Sequence, residues 1–386
     1  MRILYCAIDQ TVPGTTGGST HVRAVAEGLA ALGHEVHVFT QPGRGGFPDG
    51  AVRWHALAPP LGDARLRWMR RPTVEVAARD LRVDVVIERY YNFGGEGMAA
   101  ARAAGALGVL EVNAPIVDYP GSPKARLDRL LVVRPMERWR NRQVRSAELL
   151  VTPSAAIVPS VVSRDRLVEL EWGADTERFR PDLGGEPPFA KRPGEVTVVF
   201  AGAFRAWHGA IHLVRALKEL HAAGHDRFRG VFVGDGPERA AAEAEASGVP
   251  RMTFVGAVDY ERVPAFLAHA DIGAAPFDVG AHAPLQIAFY WSPLKIFEYM
   301  AAGLPVVAPD LPRLRTLVGP GAGLLYDEST PGGLADALLS LAEPALRETM
   351  GRAARTRAVD EFSWTRHCRQ LSAAIESRLA VRQARR

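Results

Sequence analysis

The sequence predicts an α/β protein built from two domains, each with a parallel sheet flanked by helices. Short apolar runs typical of buried strands alternate with segments of helical periodicity along most of the chain, which is the pattern of parallel sheets. This alternation is interrupted by the Pro- and Gly-rich stretch 181–194, which indicates a linker. The length of 386 residues is sufficient for two such domains.

The elements of the first domain follow from the apolar pattern. An apolar run at 3–7 is followed by a Gly-containing loop and a helix with apolar residues at helical spacing. Ser19 is the predicted N-cap of this helix, and Gly33 the predicted residue after its C-terminus. The other predicted elements are strands at 36–39, 85–87, 109–112 and 149–152 and an Ala-rich helix ending near Leu107.

The second domain is predicted to begin near Val196 and repeats the same alternation. Its predicted strands lie at 196–201, 231–233, 254–255, 272–275 and 306–308, and its helices at about 210–223, near Leu267, before Gly303 and from about Leu334. In open α/β sheets, ligands bind beyond the carboxyl ends of the strands, so the cleft between the domains is the expected site.

Composition excludes several classes of protein. Hydrophobic residues make up 47% and charged residues 23%, which is globular rather than disordered, and no apolar run is long enough to cross a bilayer. The net charge of +4 is small for this length, so nucleic-acid binding is not expected. Cys6 and Cys368 indicate no disulfide framework, and the N-terminus has no signal-peptide pattern. We therefore expect a cytoplasmic location.

Basic residues are concentrated between Lys124 and Arg145. Eight cationic side chains accompany two acidic ones there, a local charge of +6, and the segment also carries Leu130, Leu131 and Val133. Two interpretations remain open. The segment is either a solvated basic helix beside an anionic cleft, or a peripheral membrane contact on the inner face that holds a lipid-linked acceptor.

The segment 292–300, SPLKIFEYM, has the pattern of an anion-binding helix start. Ser292 is predicted to cap the helix, and the backbone amides of Leu294 and Lys295 to point at an anion. Glu298 lies on the same helix face as Lys295 and could accept hydrogen bonds from two vicinal hydroxyl groups. The alternative is an ordinary ion pair on a helix surface, but the buried strand that follows at 305–308 favours close packing on the sheet.

Three Gly-containing turns follow predicted strands. In GAFRAWHG, at 202–209, Gly202 allows close backbone approach and Arg205 and His208 could meet a diphosphate. The turn at Gly17-Gly18 could bring backbone amides to a phosphate, although it lacks the dinucleotide-binding spacing. The turn with Gly234, VGDGPE at 233–238, resembles that fingerprint only superficially and is typical of a tight strand-to-helix connection. Each turn alone is equally typical of a strand-to-helix connection with a purely steric need for glycine.

The sequence contains no recognisable metal-binding motif. There is no D-x-D, H-E-x-x-H or C-x-x-C, and the eleven His residues have no ligand spacing. A G-x-S-x-G elbow and a P-loop lysine are also missing, which removes support for hydrolase and kinase functions. We expect neither a metal ion nor a cofactor.

Taken in order, these segments resemble glycosyltransferase family 4, whose members are retaining, metal-independent and built on the two-domain glycosyltransferase B fold. The resemblance covers nearly the whole chain and rests on seven segments: Gly17-Gly18 with GHEV at 33–36, WGADTERFRP at 172–181, GAFRAWHG at 202–209, VGDGPE at 233–238, FVGAV at 254–258, SPLKIFEYMAAGLPVVA at 292–308 and FSW at 362–364.

The resemblance implies two Rossmann-like domains facing across a cleft. Residues 1–183 would bind the acceptor and 184–361 a nucleoside-diphosphate sugar, while a last helix at about 362–386 would cross back to the first domain. The ribose would contact Glu298, the base the backbone near Val258, and the diphosphate Arg205 and His208. The predicted donor site is completed by Gly17, Gly18, Gly202, Gly234, Tyr290 and Leu294.

Four positions depart from the family pattern. Tyr290 replaces the first glutamate of E-x7-E, His208 the usual lysine, Ala203 a frequent arginine, and Asn113 a histidine near the acceptor. The change at Tyr290 removes a sugar-contacting carboxylate, so the donor sugar stays open. Glu111 and Asn113 are candidate acceptor contacts, with a structural role as the alternative.

The expected reaction is transfer of a sugar from the nucleotide to a hydroxyl acceptor, such as a glycan, a lipid-linked compound or a small molecule. Positive charge from Arg205, His208 and Lys295 would stabilise the leaving nucleoside diphosphate. The alternatives are a sugar-nucleotide epimerase or phosphorylase of the same fold, and a non-catalytic nucleotide-sugar-binding subunit. The base, the acceptor and the oligomeric state are not predicted.

Overall fold

The computed structural model describes residues 1–131 and 133–385, which divide into two compact units. Unit 1 contains Met1–Trp172, Tyr290–Ser292 and the described residues from Trp364 onward, and unit 2 contains Gly173–Phe289 and Pro293–Ser363. The first division thus falls at Trp172, earlier than the boundary at residue 183 that we drew from the sequence. The short segment 290–292 lies in unit 1 instead of in the second domain.

Unit 1 is built on a parallel sheet in which the described residues form seven strands, in the order β3-β2-β1-β4-β5-β6-β7. These strands are β1 (Arg2–Val12), β2 (Glu35–Pro42), β3 (Arg53–Ala56), β4 (Val85–Arg89), β5 (Leu107–Glu111), β6 (Leu149–Thr152) and β7 (Leu167–Glu169). The helices between them are α1 (Gly17–Ala31), α2 (Arg71–Asp80), α3 (Glu96–Ala104), α4 (Pro123–Leu130) and α5 (Pro135–Ser146).

Unit 2 is built on a second parallel sheet, with the described strands in the order β10-β9-β8-β11-β12-β13. They are β8 (Val196–Ala201), β9 (Phe228–Val233), β10 (Met252–Gly256), β11 (Ile272–Ala274), β12 (Val306–Pro309) and β13 (Gly323–Tyr326). The helices are α6 (Ala210–Ala222), α7 (Arg239–Glu245), α8 (Val263–Ala268), α9 (Leu294–Ala301), α10 (Pro312–Val318), α11 (Gly333–Ser340) and α12 (Pro344–Glu361).

The last helix, α13 (Trp364–Ala384), belongs to unit 1 and packs against α1. Cys368 Sγ lies 3.8 Å from the carbonyl oxygen of Ala24, and His34 Nε2 lies 2.8 Å from Ser372 Oγ. The predicted return of the C-terminal helix to the first domain is therefore confirmed. Residue 386, where the predicted segment ends, lies outside the described residues.

Each sheet has a point where the strand order reverses, between β1 and β4 in unit 1 and between β8 and β11 in unit 2. The crossovers leave in opposite directions there, which opens a crevice at the carboxyl ends of the two strands. Strands β1 and β8 are continuous buried runs, Ile3–Ile8 and Val196–Ala201, because helices cover both faces of a parallel sheet. The residues after these strands are thereby placed at the two crevices.

The start of α1 differs from the prediction. Thr16 is the N-cap, and its side-chain oxygen accepts a hydrogen bond from the backbone N–H of Ser19 at 3.2 Å, so Ser19 is not the cap. Gly17 and Gly18 consequently form the first turn of the helix. At the other end, Gly33 has a φ of +85°, which confirms its predicted place after the C-terminus.

Candidate functional site

The turn after β8 brings two glycines together at the strand-order reversal of unit 2. Gly202 and Gly234 have φ values of +142° and +134°, which only glycine adopts without strain. The Gly202 N–H donates to the carbonyl of Val233 at 2.9 Å, and a Cβ on Gly234 would overlap the Gly202 carbonyl. Glycine is therefore required at both turns for the backbones to pack closely. Because neither residue has a side chain, a ligand can approach the Gly202 backbone closely.

Lys295 reaches this turn from α9 and is almost completely buried. A Cβ on Gly202 would lie 3.2 Å from Lys295 Nζ, and Nζ also lies 4.2 Å from the ring centre of Phe200 and 5.3 Å from that of Phe277. Among the described residues, Nζ has no hydrogen-bond partner. Burial lowers the pKa of Lys295 to about 7, although the charge of Glu298 opposes the shift. A buried ammonium without a partner is costly, and an anion would relieve that cost.

Glu298 lies one turn further along α9 and is 7% exposed. Its Oε1 accepts a hydrogen bond from the hydroxyl of Tyr260 at 2.7 Å. Burial raises the pKa of Glu298 to about 7, against the lowering effects of Tyr260 and Lys295. Tyr260 comes from the turn after β10 and was missed by the sequence reasoning, because nothing in the FVGAV segment indicates that the following tyrosine reaches α9.

His208 does not carry the positive charge expected of it in the ligand-free protein. Its Nδ1 donates to the carbonyl of Ala203 at 2.7 Å. Burial, followed by the nearby charge of Lys295, lowers the pKa of His208 to about 3, so the ring is neutral at pH 7. Arg205 is exposed, and its guanidinium lies 5.8 Å from the Trp207 ring centre. The cations available in unit 2 at this turn are therefore Arg205 and Lys295.

The start of α9 is formed differently from the prediction. Pro293 is the N-cap and supplies no side-chain hydrogen bond, while Leu294 begins the helix. Ser292 belongs to unit 1, where its hydroxyl accepts from the Trp172 N–H at 2.7 Å and donates to Glu171 at 2.8 Å. The predicted capping role of Ser292 is therefore wrong. The amides of the first turn of α9 remain without a side-chain cap.

Two other predicted donor residues are placed separately. Val258 follows β10 and is half-buried, two residues before Tyr260. Tyr290 is 4% exposed and lies in unit 1. Burial raises the pKa of Tyr290 to about 12, with a further contribution from Tyr119. Its position in unit 1 was not foreseen, because the sequence alignment with the E-x7-E motif placed it beside Glu298.

In unit 1, the predicted glycines Gly17 and Gly18 lie beside charged and polar side chains. A Cβ on Gly18 would overlap Gln10 Oε1 and would lie 3.4 Å from Arg89 Nη2. Alanine at this position would therefore displace Gln10. The first-turn amides of α1 and the Arg89 guanidinium are thus neighbours at the strand-order reversal of unit 1.

Glu111 and Asn113, the predicted acceptor contacts, are occupied by protein partners. Glu111 is 5% exposed, and its carboxylate accepts from the Tyr5 hydroxyl, the Asn113 side-chain amide and Arg89 Nη1 at 3.3 Å, while His21 Nδ1 lies 3.1 Å from it. Burial raises the pKa of Glu111. Asn113 Oδ1 accepts from Trp172 Nε1 at 3.1 Å. This arrangement favours the structural alternative for Glu111, which orients Arg89.

Most of the basic segment 124–145 lies in α4 and α5. Residues 131, 133 and 134 lie between these helices, and residue 132 is outside the described residues. Arg140 is 4% exposed and donates to Asp118 at 2.6 and 3.0 Å, so it is a structural residue. By contrast, Leu130 is 79% and Val133 54% exposed. Exposed arginines such as Arg138 and Arg142 therefore lie in the same surface segment as exposed Leu130 and Val133.

Neither a metal site nor a membrane span is found in the part of the chain that the structure describes. No group of three or more His, Cys, Asp or Glu side chains there has the arrangement of a metal site. No described helix is both long enough and apolar enough to cross a bilayer.

Two family models match the chain, and together they cover both units. The model described as Glycosyltransferase Family 4 matches residues 15–178, and the model described as Glycosyl transferases group 1 matches residues 195–344. The chain is 31% identical to a GDP-mannose-dependent alpha-mannosyltransferase of Mycobacterium tuberculosis, over 96% of this chain and 95% of that protein.

Two further relatives are named for ring-polyol compounds. The chain is 29% identical to a 2-deoxystreptamine glucosyltransferase of Streptomyces kanamyceticus, over 65% of this chain and 69% of that one. It is 26% identical to a phosphatidyl-myo-inositol mannosyltransferase of Mycobacterium leprae, over 98% and 97% of the two chains.

Solved structures share the fold over the full length. Sucrose-phosphate synthase from Thermosynechococcus elongatus aligns with a TM-score of 0.72 at 21% identity, covering 98% of this chain and 99% of that one. Anabaena HepE in complex with UDP-glucose aligns with a TM-score of 0.68 at 18% identity, covering 98% and 100%. The chain therefore has the fold of these proteins, the glycosyltransferase B fold.

Proposed function

Because this chain belongs to glycosyltransferase family 4 and is a sugar-transferring enzyme, we propose that unit 2 binds a nucleoside-diphosphate sugar. The sugar is then transferred, with retention and without a metal ion, to a hydroxyl acceptor. The observation that carries this proposal is the buried Lys295 ammonium, which has no hydrogen-bond partner in the described chain and lies beside the Gly202 turn. A diphosphate at this turn supplies the missing negative charge.

The residues around Lys295 fit a nucleotide. The uncapped start of α9 favours phosphate oxygens, because its first-turn amides have no side-chain acceptor. The amides of Gly202 and Gly234 already donate to Val233 and Gly256, so these glycines contribute close backbone approach instead of hydrogen bonds. Glu298 lies on the same helix as Lys295, and its carboxylate can accept hydrogen bonds from ribose hydroxyl groups. Arg205 adds an exposed cation at the same turn. In the reaction, Lys295 and Arg205 stabilise the negative charge that develops on the leaving diphosphate.

His208 acts in this proposal through a change of protonation. The neutral ring uses its Nδ1 proton for Ala203, so Nε2 must gain a proton before it can donate to a phosphate oxygen. A diphosphate beside the ring raises the pKa of His208, because the anion favours the imidazolium form. Donor binding is then accompanied by proton uptake, and His208 recovers the role of the lysine it replaces.

The names of the relatives support a ring polyol as the acceptor. One relative is named for 2-deoxystreptamine and another for phosphatidyl-myo-inositol, and both compounds carry a six-membered carbon ring with hydroxyl groups. The base of the donor nucleotide is proposed to be guanine or uracil, because GDP-mannose and UDP-glucose both occur in the names of the compared proteins.

Calorimetric titration with UDP and GDP, followed by transfer assays with UDP-glucose and GDP-mannose, tests the proposal. Glu298→Gln is expected to weaken nucleotide binding and to reduce transfer, because an amide replaces a buried acceptor of hydroxyl hydrogen bonds. Unchanged nucleotide affinity in this variant would remove Glu298 from the site. Release of nucleoside diphosphate only when an acceptor is present distinguishes a transferase from an epimerase or a binding subunit.

The surface of α4 and α5 favours an additional role in peripheral membrane binding on the cytoplasmic face. Exposed Leu130 and Val133 lie among exposed arginines, which is the chemistry that binds anionic lipid surfaces. The test is sedimentation with anionic and neutral vesicles. Arg138→Glu with Arg142→Glu should abolish binding to anionic vesicles, whereas absence of wild-type binding at low salt would contradict this role.

A further inference from the structure

The strand-order reversal of unit 1 carries two charged side chains that the proposed function leaves without a role. Strands β1 and β4 pair from Ile3–Val85 to Cys6–Glu88. Asp9 lies further along β1, and Arg89 is the last residue of β4. Both are therefore at the carboxyl ends of the strands that border the crevice, where open α/β sheets bind their ligands. Their side chains are 11% and 12% exposed.

Asp9 is held in place from behind by a buried ion-pair network. Its Oδ1 accepts from Arg67 Nη1 at 2.6 Å, and its Oδ2 accepts from Gln10 Nε2 at 2.6 Å. The Arg67 side chain is 0% exposed and also donates to Glu96 Oε1 through Nε at 2.7 Å, and its Nη2 lies 2.6 Å from the same oxygen as an ion pair. Because Arg67 is fixed by Glu96, the Asp9 carboxylate is restricted to one orientation.

Arg89 is held in the same way by a buried carboxylate. Its Nη1 donates to Glu111 at 3.3 Å, and its guanidinium carbon lies 5.9 Å from the Trp172 ring centre. Glu111 is in turn fixed by Tyr5 and Asn113. The other terminal nitrogen, Nη2, is directed toward Gly18, where a Cβ would lie 3.4 Å away.

Gln10 connects the two charged groups. Its Nε2 donates to Asp9, while its Oε1 occupies the space that a side chain on Gly18 would fill. Gln10 Oε1 and Arg89 Nη2 therefore both approach the α-carbon of Gly18. The result is a contiguous row of carboxylate, amide and guanidinium groups along the crevice.

Burial of Arg67 among carboxylates is difficult to explain by stability alone. Buried ion pairs are seldom more stabilising than apolar residues of the same volume, because both charges must leave water. What such a network does provide is a fixed position for the groups at its edge. Here both networks, around Arg67 and around Glu111, end at a polar group that borders the crevice.

We propose that Asp9, Gln10 and Arg89 form the acceptor site of this enzyme, and that the site takes an uncharged ring polyol. One hydroxyl group donates to the Asp9 carboxylate, and the oxygen of a neighbouring hydroxyl accepts from Arg89 Nη2. The opposite charges of the two side chains balance each other, so a ligand without net charge at these positions leaves neither unpaired. This proposal rests on the proposed function in one respect: the polyol bound by these residues is taken to be the compound that receives the sugar.

The test compares Asp9→Asn and Arg89→Gln with the wild-type enzyme. The probes are myo-inositol and methyl α-D-mannopyranoside, which are uncharged, and 2-deoxystreptamine, whose two amino groups are protonated near pH 7. Each is assayed for release of nucleoside diphosphate from UDP-glucose and GDP-mannose. Either variant should raise the KM for the accepted polyol by about 10- to 100-fold, because a hydrogen bond to a charged group is lost. The affinity for UDP or GDP should stay at the wild-type value. Asp84→Asn is the matched control, since Asp84 lies at the opposite end of β4 and binds the Arg2 N–H.

Each outcome distinguishes this inference from the proposed function. If the wild-type protein binds neither UDP nor GDP, the proposed function fails. If it binds nucleotide but neither uncharged polyol accelerates release, or only 2-deoxystreptamine does, the assignment of an uncharged ring polyol is overturned. An unchanged acceptor KM in both variants overturns the assignment of the residues. Should Asp9→Asn not fold because Arg67 loses a partner, Arg89→Gln alone decides.

Discussion

Replacement of Lys295 by Met is expected to stabilise the fold while weakening diphosphate binding. Burial shifts the pKa of Lys295 from 10.5 to about 7, and at about 1.4 kcal/mol per pKa unit this corresponds to a cost on the order of 5 kcal/mol for keeping the ammonium charged. The folded-state pKa is the lower one, so the cost is fully present below about pH 7 and disappears as the pH rises toward 10.5. Met retains the contacts with Phe200 and Phe277 without the charge.

The measurement is urea unfolding at pH 7 and at pH 9.5, together with calorimetric titration with UDP and GDP. Lys295→Met should be more stable than wild type at pH 7, with a smaller difference at pH 9.5, and should bind nucleotide at least tenfold more weakly. Lys218→Met is the control, because Lys218 is exposed on α6 and pairs with Glu245 at 3.2 Å. Equal destabilisation at both pH values, or undiminished nucleotide affinity, would refute the reasoning.

Three further outcomes are expected. In Tyr260→Phe, the pH below which nucleotide affinity falls should rise by about one to two units, because the lost hydrogen bond holds the pKa of Glu298 down. Calorimetric titrations from pH 5.5 to 9 measure this pH, and an unchanged value would contradict the prediction. Arg140→Met should destabilise unit 1 by about 2 kcal/mol, because the hydrogen bonds of the buried guanidinium to Asp118 and to the Ile116 carbonyl are lost, whereas exposed Arg138→Met should change thermal stability little. Transfer should persist in excess chelator, and loss with rescue by Mg²⁺ or Mn²⁺ would contradict metal independence.

The buried strands could be predicted from the sequence, whereas three of the four edge strands of the described residues could not. Val196–Ala201 and Leu149–Thr152 were placed at their observed limits, because a central parallel strand is apolar on both faces. The missed strands β3, β7 and β13 are short, lie at or beside the sheet edges, and are only partly buried. A strand such as Arg53–Ala56, RWHA, has no apolar pattern that distinguishes it from a loop.

Within the candidate site, the sequence identified residues but not their states. Lys295 and Glu298 were found from their spacing in a helix that leads into a buried strand. The neutral form of His208 depends on burial and on the charge of Lys295, neither of which a sequence shows. The Tyr260 hydroxyl comes from the turn after β10 and reaches Glu298 on α9, and a contact between residues so far apart in the chain has no sequence pattern.

The charged side chains beside the two strand-order reversals have different partners within the protein. This difference matches the different charges of the two proposed substrates, the donor and the acceptor. In unit 2 the Lys295 ammonium has no hydrogen-bond partner in the described chain, so the ligand must bring negative charge, as a nucleoside diphosphate does. In unit 1, Asp9 and Arg89 already pair with Arg67 and Glu111, and their own charges are opposite, so an uncharged ligand can bind there without supplying a compensating charge. The pattern of internal compensation thus supports the two proposals, an anionic donor in unit 2 and an uncharged acceptor in unit 1.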